Sequence, residues 1–148
     1  MYKHILVATD GSKLSQKAVR TAAKLAQAVG ARVTGIYVMP EYMPPIYGEA
    51  SLYVTQVSPK TFKAAMEKDA AAAIAFVAKE GAAAGVPAAG VKSTNAQPWS
   101  AIVRAASAKK CDLIVMASHG RRGLAGLLLG SETTKVLTHT KVPVLVVR

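Results

Sequence analysis

Five short apolar segments alternate with segments of helical periodicity along the whole chain of 148 residues. Each is too short for a helix and is bounded by turn residues, so each predicts a β-strand. The segments are 4–8, 32–38, 88–94, 111–117 and 142–147, of which 88–94 is the weakest. Alternation of strands and helices is typical of a parallel sheet. We therefore predict an α/β fold with a single domain over 1–148, a doubly wound five-stranded parallel sheet with helices on both faces (Rossmann-like).

The segments between the strands carry helix signals at their ends. Ser12 is a candidate N-cap for the first helix, and Gly30 is its candidate C-cap. Ser58 is the N-cap candidate of a long alanine-rich helix, with Pro59 at its first helical position. The predicted helices begin after Ser12, near Thr61, at Pro98 and at Ser131. Pro143 lacks an N–H group, so we expect the last strand to lie at an edge of the sheet.

Residues 40–59 interrupt this alternation. They contain four prolines and show no clear hydrophobic period. A connection of this length inside a compact domain usually has a function. We interpret the segment as a loop that could fold over a site, with a disordered insert as the alternative.

The net charge of +11 makes polyanions conceivable partners. The cations are spread over the sequence, however, and no basic run is interleaved with aromatic residues. We therefore favour a generally positive, solvated surface and disfavour nucleic acid as a partner. Cys111 is the only cysteine, which excludes an intramolecular disulfide and a cysteine-based metal site. Because no signal peptide or membrane-spanning run is present, we expect a cytoplasmic protein without a membrane partner.

Three segments fall at the carboxyl ends of predicted strands: residues 8–10, residues 38–39, and a glycine-rich segment from Ala117 to Ser131. Ligands of doubly wound sheets bind at this rim, at the switch point of the strand order. Helix N-termini attract phosphate there, and glycines allow the backbone to approach it. The third segment therefore predicts a phosphate-binding loop, with Arg121 and Arg122 adding positive charge beside it.

Individual residues of this rim have two interpretations each. Asp10 could accept hydrogen bonds from a ribose or hold a metal at phosphates, or it could cap the first helix or its turn. Ser131 could bind a phosphate oxygen or only cap its helix. His119 has no defined partner, so we expect no catalytic role for it. The Walker A and dinucleotide glycine motifs are absent from the sequence, and no hydrolase set stands out, so we predict no catalytic residues.

Four motifs in a fixed order carry a family resemblance. They are Ile-Leu-Val-Ala-Thr-Asp-Gly-Ser at 5–12, the strand-to-loop segment at 112–123, Leu-Leu-Leu-Gly-Ser at 127–131, and Val-Pro-Val-Leu-Val-Val at 142–147. With them the chain resembles the universal stress protein family over nearly its whole length. The ATP-binding branch of that family carries G-x-x-G, nine residues, then G-[ST]. This chain matches at Gly120, Gly130 and Ser131, but has Ala117 at the first glycine.

The resemblance implies that ATP binds, with or without Mg²⁺ or Mn²⁺. The methyl group of Ala117 could crowd the nucleotide or bar a positive φ, whereas Gly120, Gly130 and Ser131 keep most of the phosphate-facing backbone. We therefore expect ATP binding to survive, with an affinity that this methyl group could weaken. By position, Asp10 would face ribose or phosphate, Val38 would meet adenine through its backbone, and Ala8 and Thr9 would line the pocket floor. Met116, Ala117, His119 and Gly120 would surround ribose and phosphates, and Gly130, Ser131, Glu132 and Thr133 would hold the polyphosphate. The charge of Glu132 would need Mg²⁺ or Arg122 to offset it.

The resemblance further implies a regulatory or stress-response protein with an unknown protein partner and at most slow ATP hydrolysis or autophosphorylation. It also implies a homodimer through the closing strand, from Val142 to Val147, because a bare apolar edge invites aggregation. Three alternatives stay open. They are an ATP-using enzyme such as an adenylyl transferase, a nucleotide-free dimeric interaction protein, and a basic protein that binds a polyanion such as nucleic acid.

Overall fold

A computed structural model describes residues 1–44, 57–121, 123 and 128–148. Along the chain the elements are β1 (His4–Ala8), α1 (Lys13–Val29), β2 (Arg32–Met39), α2 (Pro59–Ala84), β3 (Ala88–Thr94), α3 (Pro98–Ala108), β4 (Leu113–Ala117), α4 (Ser131–His139) and β5 (Val144–Val147). The predicted α/β fold is confirmed. Within these ranges, none of the helices combines the length and the hydropathy that a membrane span requires.

The five strands form one parallel sheet in the order β3-β2-β1-β4-β5. The strand order reverses between β1 and β4, which makes their carboxyl ends the switch point. β5 lies at one edge of this sheet, as Pro143 predicts; the Pro143 carbonyl accepts a hydrogen bond from Ile114 N at 2.9 Å.

Alternate residues of each central strand pack on opposite faces of the sheet. Helices α1 and α2 cover one face, where Ala18 and Val77 meet buried strand residues. Helices α3 and α4 cover the other face through Ile102 and Val136. The fully buried strand residues on the two faces include Ile5, Val7 and Val115 on the first and Leu6 and Ile114 on the second. The sheet is therefore doubly wound.

The predicted helix caps are present in the structure. The Ser12 side chain accepts a hydrogen bond from Ser15 N at 3.2 Å, and the Ser58 side chain accepts one from Thr61 N at 3.1 Å. At the other ends Gly30 has φ 71° and Gly85 has φ 67°. These local signals fix where α1 and α2 begin and end.

Helix α2 packs closely on the sheet because glycines lie beneath it. Gly35 of β2 and Gly90 of β3 are neighbours in the strand register. A methyl group on Gly35 would lie 2.6 Å from Val77 Cγ2, and one on Gly90 would overlap the Ile74 side chain. Val77 and Ile74 of α2 therefore occupy the space that a side chain at position 35 or 90 would need.

The connection predicted at 40–59 lies mostly outside the described residues, so its interpretation as a covering loop stays a prediction. Its described ends lie close together. The Tyr42 hydroxyl donates to the Val57 carbonyl oxygen at 3.1 Å. The Tyr42 ring also packs edge-on against Phe62 of α2, with ring centroids 5.5 Å apart.

Candidate functional site

A cavity of about 200 Å³ opens at the carboxyl ends of β1, β2 and β4, at the switch point. It lies on the face of the sheet that α3 and α4 cover. Its lining consists of Ala8, Thr9, Asp10, Ser15, Ile36, Val38, Pro98, Ile102, Met116, Ala117, His119, Gly120, Glu132 and Thr133. Ten of the twelve predicted site residues are in this set. Their contact with a ligand stays a prediction.

The other two predicted residues, Gly130 and Ser131, lie beside the cavity without lining it. A methyl group on Gly130 would lie 3.2 Å from His119 Cα, so this glycine adjoins the cavity wall. Ser131 is the exposed first residue of α4.

Four lining residues were missed by the sequence analysis: Ser15, Ile36, Pro98 and Ile102. The periodicity of strands and helices could have identified three of these four residues from the sequence. Ile36 is two residues before Val38 on one strand and so shares its face. Pro98 and Ile102 are four residues apart on α3 and so share a face of that helix. Ser15 could be placed only from the three-dimensional structure, in which its hydroxyl lies 3.1 Å from the Thr9 hydroxyl.

The Asp10 carboxylate joins the turn after β1 to the loop after β4. Oδ1 accepts a hydrogen bond from Ser12 N at 2.9 Å, and Oδ2 accepts one from Arg121 N at 2.8 Å. Gly120 allows this approach, because a methyl group there would lie 2.6 Å from Oδ2. Burial acts to raise the pKa of Asp10, but the hydrogen bonds from Ser12 and Arg121 outweigh it and hold that pKa below its usual range. Asp10 therefore caps the turn after β1, and its contact with a ribose or a metal stays a prediction.

Ala117 is the last residue of β4, and it pairs in register with Val147 of β5. Lys110 is the only non-glycine residue of the described chain with a positive φ. The backbone at position 117 therefore does not need a glycine. Ala117 is buried and lines the cavity. Compared with a glycine at this position, it can therefore affect a ligand only through the space that its methyl group takes up.

The start of α4 is fixed against the end of β4 by two hydrogen bonds. Gly130 N donates to the Ser118 carbonyl oxygen at 2.6 Å, and the Thr133 hydroxyl donates to the Ala117 carbonyl oxygen at 3.0 Å. These two donors are thus already engaged. The N–H groups of residues 131–133 form the first turn of α4, and none of them has a hydrogen-bond partner within the described part of the chain. They are the donors that an anion could accept here.

Glu132 joins α4 to α3 at the rim of the cavity. Its Oε2 accepts a hydrogen bond from Trp99 N, in the first turn of α3, at 2.8 Å, and its Oε1 lies 3.4 Å from Lys135 Nζ. The positive end of α3 and the Lys135 ammonium therefore offset this carboxylate. The expectation that Mg²⁺ or Arg122 offsets this charge beside phosphates stays a prediction, and Arg122 lies outside the described residues.

Comparison with known proteins gives the family. A sequence model described as "Universal stress protein family" matches residues 1–148. The chain belongs to the universal stress protein family. A universal stress protein of Thermus aquaticus is 34% identical to it over 148 residues, which cover 100% of both chains.

Solved structures of the family share the fold. Protein MJ0577 of Methanocaldococcus jannaschii superposes with a TM-score of 0.78 at 27% identity, covering 99% of this chain and 96% of that one. A universal stress protein solved in complex with cAMP gives a TM-score of 0.73 at 26% identity, covering 99% and 97% of the two chains. The sequence resemblance is thus confirmed at the level of family and fold.

In this universal stress protein the basic side chain of Arg121 does not line the cavity. Its Nη1 lies 3.4 Å from Asp69 Oδ2 on α2, so a carboxylate on another helix attracts the guanidinium. The expectation of positive charge beside a phosphate site stays a prediction. His119 does line the cavity, and its Nδ1 lies 3.2 Å from the Ser118 hydroxyl.

Proposed function

We propose that this universal stress protein binds an adenine nucleotide, with ATP as the ligand, and acts as a regulatory protein of the stress response. The observation that carries the proposal is the cavity at the switch point, whose wall contains ten of the residues expected to meet a nucleotide. The relative in complex with cAMP supports the same class of ligand.

The cavity divides into an apolar part and a polar rim. Ile36, Val38, Ile102 and Met116 supply apolar surface from both the sheet and α3. A flat aromatic base fits such a surface, and the Val38 backbone at the end of β2 can form hydrogen bonds with the polar edge of that base. The volume of about 200 Å³ is below the roughly 300 Å³ at which ordinary ligand sites begin. We therefore place the base and ribose inside, with the phosphates at the open rim.

The phosphates have their best partners at the start of α4. The N–H groups of residues 131–133 point outward from the positive end of that helix. The described residues include no group of three His, Cys, Asp or Glu side chains that could hold a metal ion. A bound Mg²⁺ or Mn²⁺ would therefore take its ligands from the phosphates and from water, as Mg²⁺ does at many nucleotide sites.

We propose binding with at most slow hydrolysis or autophosphorylation. Rapid hydrolysis needs a positioned base that activates a water molecule. Asp10, His119 and Glu132 are the side chains of the described cavity wall that could take a proton. The two carboxylates already accept hydrogen bonds from backbone N–H groups, and His119 Nδ1 faces the Ser118 hydroxyl. A hydroxyl stabilises the charged imidazole less than a carboxylate does, which argues for a nucleotide sensor over a fast enzyme.

The test is calorimetric titration with ATP of the wild-type protein and two valine variants. Val38 and Val91 are half-buried on the same face of the sheet, but only Val38 is in the cavity lining. We expect Val38→Phe to weaken ATP binding at least about tenfold by filling the base site, an effect of about 1.4 kcal/mol. Val91→Phe, the matched control, should bind like the wild type. Absence of wild-type binding at millimolar ATP would refute the proposal, and equal effects of both variants would place the site elsewhere.

We also propose a homodimer through β5. This strand lies at the sheet edge and exposes Leu145, and α4 beside it exposes Leu137. A two-fold contact between copies would cover this apolar edge. Sedimentation of the wild type should give a dimer, and Leu145→Lys should shift it toward monomer. A monomeric wild type would refute this part without affecting nucleotide binding.

A further inference from the structure

Helix α1 carries four cationic side chains and no acidic one. Lys13, Lys17, Arg20 and Lys24 are exposed. Their successive spacings of four, three and four residues put all four on one helix face. The row is about 16 Å long at 1.5 Å per residue. We call these four residues the α1 cation row; they are scattered in the sequence and become aligned only in the helix.

This arrangement works against the stability of the helix that carries it. Like charges three or four residues apart on a helix repel each other. Lys13 adds to this at the positive end of α1, whose first turn has no acidic residue. A row of repelling charges on an otherwise well-capped helix indicates a role outside folding.

One carboxylate compensates one member of the row. Glu80 of α2 lies 3.6 Å from Arg20, whose guanidinium also lies over the Phe76 ring at 5.1 Å. In the described part of the chain no carboxylate side chain lies within ion-pair distance of the three lysines. Lys17 Nζ donates a hydrogen bond to the main-chain oxygen of Arg148.

Five other acidic side chains of the described residues are engaged elsewhere. Asp10 and Asp112 accept hydrogen bonds from backbone N–H groups. Glu67 and Asp69 pair with Lys92 and Arg121, and Glu132 accepts from Trp99 N. Within the described residues, the three lysines of the α1 cation row therefore have no ion-pair partner, and they form an ordered part of the protein's excess positive charge.

We propose that the α1 cation row binds the sugar–phosphate backbone of a nucleic acid without sequence specificity. A regular row of cations neutralises a regular row of phosphates. Among the described residues, the large hydrophobic side chains that are exposed lie outside α1. The row therefore lacks the aromatic platforms that stack on bases. It also lacks the exposed apolar face of a membrane-surface helix, since Ala18, Ala22 and Ala26 of α1 are in the core.

The experiment measures fluorescence anisotropy of a labelled mixed-sequence DNA duplex of about 20 base pairs over a series of KCl concentrations. Neutralising three phosphates, one for each lysine without a carboxylate partner, gives a log–log salt slope of about −2.7. A triple variant of α1, with Lys13, Lys17 and Lys24 each changed to Gln, should lose most of that slope and at least about tenfold in affinity at low salt. It should unfold at a temperature no lower than the wild type, because repulsion has been removed.

The control removes the same charge from another helix. Lys63, Lys68 and Lys79 of α2 are exposed, and their joint change to Gln should leave affinity within about threefold and the slope unchanged if the row itself binds. Equal losses in the two variants would make net charge the cause and overturn the proposal, as would a wild type that binds no duplex at low salt.

A second assay measures binding of the same variants to phosphatidylserine vesicles. Row-dependent binding to vesicles but not to DNA would assign the surface to membranes and equally overturn it.

Discussion

The contact between Gly120 and Asp10 gives the sharpest prediction about the site. A methyl group on Gly120 would have two described atoms within 4 Å, Asp10 Oδ2 at 2.6 Å and Asp10 Cγ at 3.7 Å. Gly120→Ala therefore has to displace one carboxylate and nothing else. Since Oδ2 accepts the hydrogen bond from Arg121 N, that bond is the interaction lost.

Hydrogen bonds to charged groups contribute about 1.5–3 kcal/mol each, and this partly exposed site belongs at the lower end. We expect Gly120→Ala to lower the free energy of unfolding by about 1.5 kcal/mol. Asp10→Ala loses the bonds to both Ser12 N and Arg121 N and should cost about 3 kcal/mol. In the double variant the methyl group meets no carboxylate, so the total cost should stay at about 3 kcal/mol, a coupling of about 1.5 kcal/mol.

Urea unfolding of the four proteins, followed by far-UV circular dichroism at pH 7, measures this cycle. The denaturant slopes should be equal, so that midpoints report stability alone. A double variant that loses the sum of the two single effects, about 4.5 kcal/mol, would refute the reasoning. So would a Gly120→Ala protein as stable as the wild type.

Three further predictions concern other residues. Ala117→Gly should raise ATP affinity about three- to tenfold by removing a methyl group from the cavity, at a cost of about 0.5–1 kcal/mol in stability; calorimetry that shows unchanged affinity would contradict this. Burial, and then the Arg32 charge, lower the pKa of His4 from its ordinary 6.5. The neutral ring thus stabilises the fold above pH 6.5, and this contribution is lost as the pH falls through the lowered pKa; His4→Gln should flatten that acid loss in urea titrations at several pH values. Burial raises the pKa of the Cys111 thiol, so a disulfide reagent should label it slowly in the native protein and rapidly in urea; rapid native labelling would show an open thiol.

The elements could be predicted because their signals are local. An apolar run of five residues such as His4–Ala8 and a cap such as Ser58 depend only on nearby sequence. The cavity could be predicted because the carboxyl ends of parallel strands meet at one rim, which brings residues 8–10, Val38 and Ala117 together whatever their separation in sequence.

Side-chain directions at the rim could not be predicted in the same way. Arg121 is drawn to Asp69, which is 52 residues away in sequence, and Glu132 caps a helix that begins 34 residues earlier. Both contacts depend on how α2 and α3 dock on the sheet. A sequence pattern predicts which face of each helix packs on the sheet. It does not predict which charged side chain then lies next to the loop.

The glycines beneath α2 also limit how relatives of this protein can diverge. Gly35 and Val77 share one space, and Gly90 and Ile74 share the next. A larger residue at either strand position is tolerable only after its partner on the helix has become smaller. In an alignment of relatives, positions 35 and 77 should therefore change together, as should 90 and 74, and the order of the two substitutions in each lineage should place the smaller helix residue first.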